Sequence, residues 1–477
     1  MIGTLLLSAC AVGPDYRAPE PAAHDAWHEA TAAGGPQSAE SDTLAAWWTT
    51  LDDPVLSQLV DQAIAGSPTV RQARARVMEA RARRGIASAG LFPWLDASGA
   101  ASRTSTDDRG LADSGSTPGI ANLNGDKSYS VGLDASWELD LFGGQRRAVE
   151  SANAQLGASE ADLRDVLVTL LGDVALSYLD VRTAQSRLDY AQRNLETQHE
   201  LTDITRWQSE AGLATALEVE QANSSYEQTR AAIPTLESTL TQAMNRLAVL
   251  TGRPPGELTS MLSEAKPIPV APPEVAAGVP ADVLRRRPDI RAAERRLAAQ
   301  TAQVGVATAA LYPSLSLAGS ISLQSTSAGD VFDGFQTNRG LLSLTMPIFH
   351  AGALRQNVAV QNALVDQALA TYESTVLTAY EDVENALNAW NNEQRRNEAL
   401  VASAASARVA SDLALMQYNS GLVDFQTVLN ADRQLITTED ALAVSTGELT
   451  ANVVRLYKAL GGGWSVYPAA ASLGPVN

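Results

Sequence analysis

Cysteine occurs once in these 477 residues, at Cys10, so the chain can form neither an internal disulfide nor a multi-cysteine metal site. Lysine is almost as scarce, with Lys127, Lys266 and Lys458 the only three, which leaves no polybasic segment to dock on an anionic membrane surface. With 54 acidic against 35 basic side chains the net charge is −19. That balance excludes nucleic acid as an expected partner, because phosphate binding needs a basic face. Aromatic residues are only 5% of the chain, too few for thick globular cores, whereas an alanine-rich hydrophobic content of 45% suits long packed helices. No uninterrupted apolar run approaches the roughly 18 residues of a membrane-spanning helix. Histidine appears four times. His24 and His28 are spaced i, i+4 in a Pro/Ala-rich lead without further clustered ligands, and His199 and His350 stand alone, so no metal site is expected.

Catalytic patterns are equally thin. Ser263-Glu264-Ala265-Lys266 matches S-x-x-K, but it lies in a proline-rich stretch without the companion motifs of penicillin-binding enzymes. Gly461-Gly462-Gly463 lacks the strand–helix frame of a phosphate loop. Carboxylates are plentiful, yet no pair has a spacing that specifies acid–base work. Neither an enzyme nor a cofactor is expected. Arg285-Arg286-Arg287 reads as a solvated helix start or as an ion-pair site between subunits.

What the chain does have, it states twice. Residues 67–102 and 287–322 align without a gap at an offset of 220, with 13 of 36 positions identical. Pro68, Arg71, Gly85, Leu91, Pro93 and Gly99 meet Pro288, Arg291, Gly305, Leu311, Pro313 and Gly319. Leu141-Phe142-Gly143-Gly144 and Ile348-Phe349-His350-Ala351-Gly352 then each open a very long helical pattern. So long a period is no solenoid. It reads as two halves of one architecture, each a helix, a pair of strands and a long helical hairpin.

The expected organisation starts with residues 1–9 as a residual signal segment and 10–60 as a lead. A first repeat at 61–252 follows, with a β-hairpin near 94–140 and a helical hairpin over 144–250. After a linker at 253–280 comes a second repeat at 281–460, with a β-hairpin near 313–348 and a helical hairpin over 352–460, and then a tail at 461–477. Trp47-Trp48 and Asp53-Pro54 open a helical region that reaches about Gly90. Gly, Ser, Asp and Asn mark 104–127 and 325–338 as exposed loops.

The strands alternate. Tyr129, Val131, Leu133, Ala135 and Trp137 share one face, against Ser128, Ser130, Gly132, Asp134, Ser136 and Glu138 on the other. Leu315, Leu317, Gly319, Ile321 and Leu323 likewise oppose Ser314, Ser316, Ala318, Ser320, Ser322 and Gln324. A period of two fits a strand between lipid and water, and it also fits a sheet laid over a soluble core. Strand lengths of about 10 residues, and Tyr129 and Trp137 at interfacial positions, favour the barrel.

The long helices are the other signal. Leu163, Leu167, Leu170, Val174, Val181, Leu188 and Leu195 recur at spacings of three, four or seven, and residues 144–209 hold no proline. Val365, Leu369, Tyr372, Val376, Ala379, Val383, Ala386 and Trp390 step 4-3-4-3-4-3-4, the seam of a coiled coil. A helix over 144–209 would be about 100 Å long, which no compact core needs. Four strands cannot close a barrel, and an open edge cannot face hydrocarbon. Closed barrels need about eight strands, so membrane-embedded strands must be pooled among copies.

In this order and with this duplication the chain resembles the TolC-like outer membrane factors, specifically the lipoprotein branch of tripartite efflux channels. The marks are Leu7-Ser8-Ala9-Cys10, Val12-Gly13-Pro14-Asp15-Tyr16, Trp47-Trp48 with Asp53-Pro54, Arg287-Pro288-Asp289-Ile290, and glycine-marked turns at Ala211-Gly212-Leu213 and Ser420-Gly421-Leu422. The resemblance implies a mixed fold: a homotrimer whose four strands per chain close as a twelve-stranded outer membrane β-barrel, above an α-helical coiled-coil tunnel in the periplasm. It implies a periplasmic adaptor, an inner membrane transporter of the resistance-nodulation-division (RND) type and outer membrane lipid as partners. It also implies a covalent lipid on Cys10, after removal of residues 1–9. The first nine residues are short for a signal and lack its basic start, so either the recorded start lies inside the signal or the match is accidental.

Two sets of residues carry the implied function. A periplasmic gate would be formed by Tyr418, Gln426, Asn430, Asp432 and Arg433, although relatives place an apolar residue where Gln426 stands and an aspartate where Asn430 stands. Against it stands a solvated surface pair near a helix start, worth about 0–1 kcal/mol. Adaptor docking would use the tips at Gly212, Leu213, Gly421 and Leu422, where the glycines also serve simply to turn the chain. Other readings are the exit duct of a type I protein secretion system and a periplasmic coiled-coil structural or adaptor protein.

Overall fold

The computed structural model describes residues 11–19, 27–28, 44–103, 127–270 and 286–466. Cys10, His24, Arg285, residues 104–126 and the linker from 271 to 285 lie outside them. A 3₁₀ turn at Trp47–Leu51 leads into α1 (Pro54–Gly66) and α2 (Pro68–Ala89). Then come β1 (Trp94–Arg103), β2 (Lys127–Leu139), α3 (Gly144–Glu210), α4 (Ala216–Leu250) and a single turn of helix, α5 (Thr259–Leu262). The order resumes with α6 (Pro288–Ala309), β3 (Ser314–Ser325), β4 (Phe335–Thr345), α7 (Ala353–Asn419) and α8 (Phe425–Ala459). Corresponding helices have equal lengths: 22 residues for α2 and α6, 67 for α3 and α7, and 35 for α4 and α8.

Two compact units divide the chain. The first comprises Met1–Pro19, Met78–Gly157 and Glu294–Ala370. Its centre is a four-stranded antiparallel sheet in the order β1-β2-β3-β4. Pro93 and Pro313 cannot continue a helix, so each strand pair starts just beyond one. The register puts Leu133 opposite both Ala97 and Ile321, and Asp134 opposite both Asp96 and Ser320, so at this height an apolar row and a polar row each run from β1 to β3 on opposite faces. β4 begins at Phe335, earlier than a loop over 325–338 allows. The cause is Gly334: a Cβ there would lie 2.4 Å from the Gln324 carbonyl oxygen, and without one the chain reverses tightly enough to pair Phe335 with Gln324.

The second unit comprises Glu20–Val77, Ala158–Ala293 and Thr371–Asn477. Trp47, Trp48, Leu56, Leu59, Leu171, Leu247, Leu262, Val453 and Leu456 are buried in its core. Trp47 stacks on Tyr457 at 5.5 Å and meets Trp48 edge-on at 5.9 Å. Asp53 caps α1, accepting from the Val55 and Leu56 amides at 2.8 and 3.2 Å. Helix does not run unbroken from 47 to 90. Pro68 has no N–H to donate and restarts the helix after Ser67, as α2.

The coiled-coil seam is buried from Tyr372 onward: Tyr372, Val376, Ala379, Val383, Ala386 and Trp390 are all buried, whereas Val365 and Leu369 at its start are only half-buried. One 18-residue window of α7 has a mean hydropathy of 1.3, enough by composition alone to cross a membrane, and 17% of it is buried. Arg287 departs from a solvated helix start. It is 8% exposed, pairs with Asp289 at 2.7 Å and Asp382 at 3.0 Å, and donates to the Ala459 carbonyl at 2.9 Å. Burial opposes its charge, but those two carboxylates outweigh burial and raise its pKa.

Candidate functional site

The two helical hairpins of the second unit turn in the same way. Gly212 and Gly421 have φ of +73° and +71°, the left-handed conformation that glycine adopts at little cost. The Leu213 amide donates back to the Gln208 carbonyl at 2.7 Å, and the Leu422 amide to the Gln417 carbonyl at 2.9 Å. Gly212 and Gly421 close the shorter bonds to Ser209 and Tyr418, completing a Schellman cap on α3 and on α7. The returning helices are capped at once. Thr215 and Glu218 exchange side-chain and backbone bonds, and Asp424 accepts from the Thr427 amide and hydroxyl at 2.9 and 2.6 Å. Those two bonds hold the Asp424 carboxyl below the usual carboxylate range. At these turns Leu213 and Leu422 are 80% and 75% exposed.

The five sequence-predicted gate residues fall into two groups. Tyr418 and Asp432 face inward, between the hairpins. The Tyr418 hydroxyl donates to Gln208 Oε1 at 2.8 Å, and its ring leans on Phe425 at 5.4 Å. Phe425 is buried with Leu201, Ala222, Ala414, Val428 and Leu429. Burial, with a smaller contribution from the charge of Glu218, raises the Tyr418 pKa. Asp432 is 5% exposed and accepts from Gln198 Nε2 at 2.8 Å. Burial is the largest influence on its carboxyl and pushes its pKa up. Gln426, Asn430 and Arg433 are exposed, and Gln426 donates to Asn430 across one helical turn at 3.1 Å. Asp432 and Arg433 are therefore no solvated pair.

Further polar links join α8 to α3 and α7, and the sequence offers no signal for them. Arg187 holds Asp440 with two bonds of 2.7 and 3.2 Å, and Arg408 and Asn194 both reach the buried Glu439. No spacing within one helix reports which residue on another helix it meets. His199 is not isolated either, lying 3.3 Å from Asp203 and edge-on to Tyr226. Among the described residues no cluster could hold a metal ion.

In the first unit the sheet presents a mainly apolar and a mainly polar face, and no strand residue on either is buried among the described residues. Leu95, Val131, Leu133, Leu317, Ile321, Leu342 and Leu344 lie on one face and are all exposed. Among the described residues β1 and β4 are edge strands with one partner each.

Residues 11–19 bind beside this sheet as a strap, which gives Val12-Gly13-Pro14-Asp15-Tyr16 a structural role the sequence did not disclose. The Val12 amide donates to the Phe142 carbonyl at 3.0 Å. The buried Arg147 guanidinium donates to the Val12 carbonyl at 3.3 Å, to Asp15 at 2.6 Å and to Glu150 at 2.7 Å. Tyr16 donates to Glu294 at 3.0 Å.

A two-faced sheet with exposed apolar side chains and long capped hairpins suit a membrane channel component, and the comparisons give the class. The outer membrane efflux protein model matches residues 59–253 and 279–462. The pyoverdine export outer membrane protein OpmQ of Pseudomonas aeruginosa is 37% identical over 463 residues, covering 96% of this chain and 95% of that one. Nodulation protein T of Rhizobium leguminosarum bv. viciae is 35% identical over 461 residues, covering 97% and 92%. The solved outer-membrane channel OprN superposes with a TM-score of 0.86 at 36% identity, covering 95% of this chain and all of that one. The chain belongs to the outer membrane efflux protein family. Its place is the outer membrane of a Gram-negative cell, and its work is efflux through a channel.

Proposed function

We propose that this internally duplicated chain is the exit duct of a tripartite efflux system, working as a homotrimer. Three sheets of four strands join edge to edge as a twelve-stranded barrel, and the helical hairpins pool into a coiled-coil tunnel through the periplasm. One observation carries the reading: among the described residues the sheet leaves seven large apolar side chains of one face and both of its edges exposed. In lipid every backbone polar group must be paired, so such a sheet is stable only when its edges are closed by further strands. Identical copies supply those strands with the right faces already aligned.

The duct is passive. An RND-type inner membrane transporter supplies the energy and a periplasmic adaptor bridges the two. The adaptor docks on the exposed tips at Gly212-Leu213 and Gly421-Leu422. The resting gate is made where α7 meets α8, with Tyr418 of α7 and Asp432 of α8 latching the pair to α3 and the exposed Gln426, Asn430 and Arg433 presented to other copies. Cys10 carries the lipid anchor. This fits a strap tied to the Phe142 carbonyl one residue beyond the described Ala11. Small toxic compounds are the cargo, and the pump chooses among them.

The test is extraction and conductance. Detergent, and not salt or buffer, should release a heat-sensitive trimer from outer membranes, and that trimer should form channels in planar bilayers. A water-soluble monomer without affinity for lipid would overturn the proposal.

A further inference from the structure

The duplication extends to tertiary contacts, and one of its two sets is made within the chain. In the second half, the start of α3 covers the corner between α6 and β3. Phe142 stacks on Tyr312 at 4.8 Å, with the ring planes 20° apart. Gln303 donates to Ser151 at 2.8 Å. A Cβ on Gly305 would lie 2.7 Å from Arg147 Cγ, and one on Gly144 would lie 3.1 Å from Ala309 Cβ. Ala298, Ala302 and Gly305 are buried on this side of α6.

The first half repeats the corner and leaves it bare. Phe92 stands where Tyr312 does and is 65% exposed. Met78, Ala82 and Gly85, the counterparts of Ala298, Ala302 and Gly305, are all exposed. A glycine inside a helix weakens it, yet among the described residues nothing outside α2 lies within 4 Å of the Cβ that Gly85 lacks. The covering piece is repeated as well. Phe349 matches Phe142 and is 85% exposed. After it, α7 starts behind Gly352 at φ +83°, as α3 starts behind Gly143 at φ +82°. The strand order β1-β2-β3-β4 puts these two bare pieces at opposite edges of the sheet, so one chain does not bring them together.

We infer that a second copy of this chain covers the bare corner with the start of its α7, its Phe349 stacking on Phe92 and its Gln356 lying over Gly85. This joint rests on the homotrimer reading and deepens it: copies meet through the same contacts that hold the two halves together. The patch is continuous with the open edge of β1, and the strands agree on the register. Within the chain, Trp137 and Leu139 of β2 lie opposite Leu317 and Leu315 of β3. The offsets that match Phe142 with Phe349 and Tyr312 with Phe92 carry those pairs onto Leu344 with Ala97 and Met346 with Leu95. Leu344, Ala97 and Leu95 belong to the apolar face, so apolar meets apolar across the joint. A slip of one residue would set them on opposite faces. The offsets come from the aromatic corners alone, which makes the match of the strands an independent support. An offset aromatic stack then closes the base of the seam between copies.

Ala89 and Ala353 occupy the places of Ala309 and Gly144, whose Cβ positions fall near the spacing of about 3.8 Å in a disulfide. The full-length protein carrying Ala89→Cys and Ala353→Cys, oxidised in outer membranes, should give covalent dimers and trimers on boiled non-reducing gels. Reductant should return them to monomer, and either substitution alone should give none, which also controls for Cys10. In a second measurement, Phe92→Ala and Phe349→Ala should each lower the temperature at which the detergent-extracted trimer dissociates. Combined, they should lower it by about the larger single loss, because both remove one contact. The joint is refuted if the double-cysteine protein runs as a trimer before boiling yet forms no bond between copies, or if the bond closes within one chain. Additive losses from the two phenylalanine variants refute it as well. A wild-type protein that forms no trimer defeats the homotrimer reading and the joint with it, whereas an intact trimer without these couplings defeats the joint alone.

Discussion

Gly13 shows how much one missing side chain can decide. Its φ is +94°, and a Cβ there would lie 2.5 Å from the Gly305 Cα, so the strap and α6 meet through two glycines. Asp432 is the opposite case, a polar group placed where water is not. Gln198 donates to it and to Ser225 through Nε2, while Gln198 Oε1 is buried without a partner. The charges facing Asp432 are Arg433 on its own helix, which lowers its pKa, and Glu439, which raises it and is itself held by Arg408 of α7. Burial dominates and the folded-state pKa is raised. The folded state then holds this proton more tightly than the unfolded chain does, so stability falls as pH rises. The penalty is absent below the unfolded value of about 3.9 and complete above the raised folded one. Asp432→Asn should flatten the slope of Tm against pH. At neutral pH it should also raise stability by about 1 kcal/mol, because the new amide can donate to Gln198 Oε1. Thermal melts of both proteins across mildly acidic to neutral pH check this, and parallel curves would refute it.

At the scale of elements, the hairpin turns separate conformational need from contact. Gly421 closes the α7 cap at φ +71° with open space around it, so Gly421→Ala should destabilise by about 1 kcal/mol through backbone strain alone. Leu422→Ala should leave stability within about 0.5 kcal/mol, since that side chain is exposed and touches no core. Denaturant titration distinguishes the two. Equal effects would mean that Leu422 packs in the isolated chain. These turns were legible in the sequence, because Gly after a long apolar period has a physical meaning of its own. The α7 seam and the strand alternation were legible for the same reason: periods of 3.5 and 2 are written in one segment. The strap, the Arg187–Asp440 and Arg408–Glu439 links and the buried Arg287 were not. Each joins residues far apart in the chain, and composition does not say that a charged side chain will be buried beside its partner. The break at Ser67 could have been read from Pro68, which both starts a helix and ends what precedes it.

For the whole molecule the question is which side of the sheet meets hydrocarbon. Ile321 and Ser322 are neighbours on β3, lie on opposite faces, and pair with Leu133 and Gly132 of β2. Burying the apolar faces of three joined sheets in lipid would satisfy side chains that a single chain leaves in water, Ile321 among them at 54% exposure. An arginine at 321 would put a guanidinium into the bilayer, at about 2–4 kcal/mol per copy near the midplane. At 322 the same arginine would stand in the water of the lumen and cost little. Ile321→Arg should therefore reduce the heat-sensitive trimer recovered from outer membranes, while Ser322→Arg should leave its amount near that of the wild type. Gel analysis of unheated detergent extracts, with total protein measured after boiling, reads the two outcomes side by side. Equal recovery of both variants would show that the face carrying Ile321 does not contact lipid, and a loss confined to Ser322→Arg would turn the barrel inside out.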